Sequence, residues 1–60
     1  MMSLKNVKLV FEIMEKMQVD IRKEKYNNMR ELVNDYASKY NVKYDIAEFI
    51  AKKALQNMIF

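Results

Sequence analysis

Asn28-Met29-Arg30-Glu31-Leu32-Val33-Asn34-Asp35-Tyr36-Ala37-Ser38-Lys39-Tyr40-Asn41 is the stretch whose pattern decides the fold. Its apolar residues Met29, Leu32, Val33, Tyr36, Ala37 and Tyr40 are spaced so that, at about 100° per residue, they fall within a single arc. Arg30, Glu31, Asn34, Asp35, Ser38 and Lys39 take the opposite side. Asn28, with Glu31 three places on, makes a relaxed capping box, in which side chains satisfy the amides a helix start leaves free. Asn41 can adopt the left-handed conformation on which helices commonly end, the task glycine usually performs. The stretch predicts a helix over residues 28–40 with one face to bury.

Toward the C-terminus, Val42-Lys43-Tyr44 is a short link, and Asp45 with Glu48 three residues later marks another helix start. The third helix, over residues 45–59, carries Ala47, Ala51 and Ala54 beside Ile50, Leu55 and Met58. Side chains this small let a neighbouring helix axis come close. Phe49 falls in the otherwise polar sector with Lys53 and Gln56, and the sequence given closes on Met58-Ile59-Phe60. Exposed apolar groups of this size want cover. Phe49, Met58, Ile59 and Phe60 are therefore the candidate partner interface, the plainer alternative being that Phe49 folds down onto a neighbouring helix.

Toward the N-terminus, Arg22-Lys23-Glu24-Lys25-Tyr26-Asn27-Asn28 interrupts the apolar periodicity. Before it, Leu4, Val7, Val10, Phe11, Met14, Met17 and Ile21 line one side of a first helix over residues 3–22, with Ser3 as its N-cap. Leu9 and Ile13 flank this stripe and make it wider than one neighbour would cover, which implies two contact surfaces. The alternation Val7, Leu9, Phe11, Ile13 is the rival, strand-like reading, but the stripe runs on past the length of a typical strand.

The composition limits what such a unit can do. The sixty residues include no Gly, Pro, Cys, His or Trp, yet 52% are hydrophobic. One domain over residues 1–60 is expected, and a lone chain of this size buries only about 60% of the surface its unfolded form exposes. The absence of Cys and His rules out disulfides and most metal sites, so association is the remaining source of stability. A homodimer formed through the first and third helices is expected. No residue set supports catalysis: Ser3 and Ser38 have no base beside them, and Glu12 with Glu15 would need further carboxylates to hold a metal. Neither enzyme activity, nor a cofactor, nor a small-molecule substrate is expected. The start lacks a long apolar core, so no membrane association is expected and a cytoplasmic location is.

Eleven Lys and Arg against eight Asp and Glu give +3, a balance that favours polyanions through counterion release. Arg22, Lys23, Lys25 and Arg30 form the densest basic cluster, with Asn27 and Asn28 among them. Tyr26, Tyr36, Tyr40 and Tyr44 offer faces on which bases could stack, although packing with the hydroxyl reaching water explains them as well. The arrangement Tyr36-Ala37, Tyr40-Asn41-Val42, Ala47 and Ile50 resembles a helix-turn-helix unit, with Asn41 standing where glycine is usual and Glu48 and Phe49 on the side expected to face DNA. That resemblance implies that Lys43, Tyr44, Lys52 and Lys53 contact phosphates or bases of double-stranded DNA. The alternation Gln18-Val19-Asp20-Ile21-Arg22 is similar to the ribbon-helix-helix family, which implies a paired strand reading DNA through Gln18, Asp20 and Arg22.

The reading is an all-α three-helix unit in a homodimeric helical bundle, with a ribbon-helix-helix-like dimer as the alternative. The expected function is a small dimeric DNA-binding transcriptional regulator. A helical protein-protein interaction module, acting as adaptor or inhibitor of another protein, is the alternative that six Met support through their adaptable thioethers.

Overall fold

The computed structural model describes residues 4–58, with side-chain surroundings for residues 7–58. It contains α1 (Leu4–Arg22), α2 (Met29–Tyr40) and α3 (Tyr44–Met58), and no strand among the described residues. The all-α architecture with three helices is thus as the periodicity implied. The proposed cap Ser3 and the terminal Ile59 and Phe60 lie outside the described residues. Residues 18–22, the ribbon strand of the alternative reading, are the last turns of α1. Met14, Met17 and Ile21 explain why: spaced by three and then four, all pack toward one core, which a helix permits, whereas a strand would turn Met14 and Met17 to opposite faces.

The helix ends rest on local chemistry. Asn28, extended at φ −157°, accepts the Glu31 N–H on its side-chain oxygen at 2.9 Å, while Glu31 Oε1 accepts the Asn27 N–H at 3.2 Å. Asn41 takes φ 55° and ψ 47°, and the Val42 N–H donates to the Ala37 carbonyl at 3.0 Å. This six-to-one bond closes α2 and folds Val42 back onto the core. α1 closes in the same way on Glu24, at φ 53°, with the Lys25 N–H donating to the Asp20 carbonyl at 3.1 Å. α3 begins one residue before its expected start. The Ala47 N–H donates to the Lys43 carbonyl at 3.0 Å, so Lys43 holds the cap position. Asp45 lies inside the first turn, where its oxygen accepts the Ile46 N–H at 2.9 Å and its charge faces the positive end of the helix.

α3 packs against both other helices. Its Ala47, Ala51 and Ala54 have no exposed surface, which allows Ile13 and Met17 of α1 and Leu32, Val33 and Tyr36 of α2 to close over its backbone. Polar ties fix the pairing: the Gln18 amide donates to the Ala54 carbonyl at 3.2 Å, and the Asn57 amide meets Met14 Sδ at 3.4 Å. The Tyr36 hydroxyl donates to Asp20 at 2.5 Å, and that of Tyr26 to Asp35. One expectation for α1 is corrected. Phe11, placed on the inner stripe, is 55% exposed, whereas Ile13, placed at its margin, is 2% exposed. The two contacts, α2 through Asp20 and α3 through Gln18, lie on either side of the arc holding Ile13 and Met17, and leave Phe11 outside it.

Candidate nucleic-acid interface

The residues that carry the helix-turn-helix resemblance fall on α2, the link over residues 41–43 and α3. Tyr36, Ala47 and Ile50 are buried, and Ala37, Tyr40 and Val42 pack against them from the margin. Asn41 performs the turn without glycine because its short amide tolerates the left-handed backbone better than most side chains.

Between α2 and α3 runs a groove of about 380 Å³, lined by Met29, Arg30, Val33, Tyr44, Glu48, Ala51, Lys52 and Leu55. Buried Val33 and Ala51 form its floor, with Met29 and Leu55 half-buried beside them. Arg30 comes from the first turn of α2, and Tyr44 and Lys52 stand two helical turns apart on α3. Three of the residues expected to meet nucleic acid are thereby brought together, around a tyrosine that is 41% exposed. Glu48 is the acid at this site. Among the described residues the one ion pair is Lys16 with Glu12 at 3.6 Å, so Arg30 and Lys52 pair with no described carboxylate.

The other basic candidates are dispersed. Lys43, exposed, caps α3 without lining the groove. Lys53, next to Lys52 in sequence, is carried about 100° around the helix, and its ammonium lies 5.5 Å from the centre of the Phe49 ring. Arg22 ends α1, and Lys23 and Lys25 belong to the connection that follows. The Lys25 ammonium lies 5.7 Å from the centre of the Tyr26 ring. The cleft at this connection, about 210 Å³, is lined by Asp20, Glu24, Tyr26 and Asn28 with Ile21, Met29 and Leu32, and by none of those cations.

Of the candidate partner residues, Phe49 is 59% exposed and Met58 half-buried. Phe49 therefore does not fold down onto a neighbouring helix. The tyrosines divide: Tyr36 and Tyr40 stack at 5.9 Å between centroids and serve the core, while Tyr44 alone of the four lines the groove. Sequence reasoning did not anticipate the groove floor, because Val33 and Ala51 read only as core, nor the roles of Asp20 and Asp35 as tyrosine partners. For Asp20 a signal existed, since it sits beside Ile21 on the inward flank of a helix whose outward positions were already filled.

The chain matches no protein-family model, no curated protein and no solved structure in comparison with each. Among the described residues no helix is long and apolar enough to cross a membrane.

Proposed function

We propose that this chain is a small DNA-binding regulator without catalytic activity, working as a pair of copies and needing no cofactor. The observation that carries this reading is the convergence of Arg30, Tyr44 and Lys52 on one groove of a helix–turn–helix unit. Arg30 and Lys52 supply phosphate contacts, Lys43 adds a charge where α3 begins, and Tyr44 offers a hydroxyl and a ring face to the groove edge of the duplex. Phosphate contacts of this kind position a protein without selecting sequence, so the basal activity is salt-sensitive binding to generic duplex DNA. A cytoplasmic location accords with that role.

Fluorescence anisotropy with a labelled generic duplex tests it. Affinity should fall steeply between low and moderate salt, and Arg30→Ala or Lys52→Ala should each lower the slope of log affinity against log salt by about 1 per copy. Failure to bind duplex DNA at low salt refutes the reading. A second reading, a helical module that binds another protein, is favoured by the exposure of Phe49, to which Met58, Ile59 and Phe60 would add. Under it Phe49→Ala abolishes capture of the protein partner while helicity is retained; unchanged capture removes Phe49 from that role.

A further inference from the structure

Phe11, Glu15 and Val19 follow one another at intervals of four along α1, and all three face solvent, Phe11 at 55% and Val19 at 43% exposure. On α3, Ile46 and Phe49 are 46% and 59% exposed, and the Lys53 ammonium lies over the Phe49 ring. Both sets border the same seam. α1 meets α3 through Met14 and Gln18, and Phe11 lies three and seven residues before them, on the same flank. α3 meets α1 through Asn57, and Lys53 and Ile46 precede it by four and eleven residues, again on one flank. Met14 pairs with Asn57 and Gln18 with Ala54, so the two helices run in opposite senses. Phe11 accordingly marks one end of the seam and Phe49 with Ile46 the other, with Glu15 and Lys53 between them.

We propose that this face pairs with the same face of a second copy of the chain, an inference that rests on the pair of copies in the reading above and supplies its interface. A two-fold axis lying in the plane of contact and crossing the seam at right angles turns the two faces toward each other and reverses the order of residues along the seam. It brings Phe11 of each copy to the end of the seam held by Ile46 and Phe49 of the other, and Glu15 to the level of Lys53, twice. The pattern is self-complementary, as an isologous contact requires. A stable contact needs about 600 Å² from each copy, roughly an eighth of the 4815 Å² the chain exposes, which the outward faces of two helices can supply.

Charge reversal decides the matter, because Glu15 and Lys53 are exposed and their substitution leaves the core intact. Sedimentation equilibrium across micromolar to millimolar concentration should show a monomer–dimer equilibrium. Glu15→Lys and Lys53→Glu should each weaken it about tenfold, since each reversal places like charges together at two symmetric positions. The double variant should return to within about threefold of the wild type. Circular dichroism confirms that each variant is helical; should a reversal unfold the chain, Glu15→Gln and Phe49→Ser, both expected to weaken dimerisation, replace it. A wild type that stays monomeric throughout, or a double variant no better than the singles, overturns the pairing. Duplex binding measured on the same samples separates the two readings: a monomer that binds DNA overturns the pairing alone, and a dimer that does not bind overturns the DNA reading alone.

Discussion

Replacing Tyr36 by Phe removes a single oxygen from the centre of the fold, and the consequence can be worked from its surroundings. The side chain is 2% exposed and its ring stacks on Tyr40 with planes 14° apart, so the phenylalanine ring can keep the same packing. What is lost is the 2.5 Å bond to Asp20, the tie that joins the last turn of α1 to the second half of α2. A hydrogen bond to a charged acceptor contributes about 1.5–3 kcal/mol, and Asp20 is partly open to water that can resolvate it, which brings the expected loss to about 1–2 kcal/mol. For a domain this small that lowers Tm by about 5–15 °C, read by circular dichroism at neutral pH. The same bond has an alkaline signature. Burial, and then the bond to Asp20, hold the Tyr36 phenol proton well above the usual tyrosine value of 10.0. The folded form retains a proton that the unfolded chain releases, so the stabilisation is complete below pH 10 and declines as pH rises beyond it. Tyr26, pushed up to about 12 by burial and then by its bond to Asp35, acts in the same direction, so Tyr36→Phe should shallow the alkaline decline without abolishing it. A variant that melts at the wild-type temperature, with the alkaline decline unchanged, refutes this account.

Glu24→Gly should raise the urea midpoint, because it relieves a left-handed backbone at φ 53° that costs a residue with a Cβ atom about 1 kcal/mol. Ala47→Leu should cost about 1–3 kcal/mol in the same assay, since a fully buried methyl of α3 that lines neither the groove nor the cleft has no room to grow; an unchanged midpoint would mean that the helices are not closely packed there. Asn28→Ala should cost about 1 kcal/mol by opening the N-terminus of α2, and hydrogen exchange should quicken first at the Glu31 amide.

The features legible in the sequence are those decided within a few residues. Asn28 and Asn41 bound α2 as expected because capping involves only the next turn of chain. Asp45 was misplaced by one step because an acid serves equally well at the cap or inside the first turn, and the choice fell to how the link from Asn41 enters α3. Glu24 gave no signal, since the left-handed position it fills is usually announced by glycine and this chain has none. Phe11 and Ile13 show the limit of periodicity: it finds an apolar arc, but the centre of that arc depends on where two other helices land.

The candidate interface obeys the same division, and it shows why net charge described it poorly. Arg30, Tyr44 and Lys52 could be named as residue types, but their grouping is a product of packing between α2 and α3, while adjacent Lys53 is turned onto Phe49. The carboxylates are equally placed by the fold. Asp20 and Asp35 are held by tyrosine hydroxyls, Glu31 by the α2 cap, Asp45 by the α3 start and Glu12 by Lys16. Each is held where a local structural need draws it, Glu24 lines the other cleft and Glu15 faces solvent on α1, so Glu48 is the acid that lines the groove. A polyanion therefore meets a local excess of positive charge at the groove that the total of +3 does not locate, and Glu48→Gln should strengthen duplex binding. Because that substitution removes an acid without adding a phosphate contact, the tighter binding should come with a nearly unchanged salt slope; a weaker complex would mean that DNA does not approach this groove.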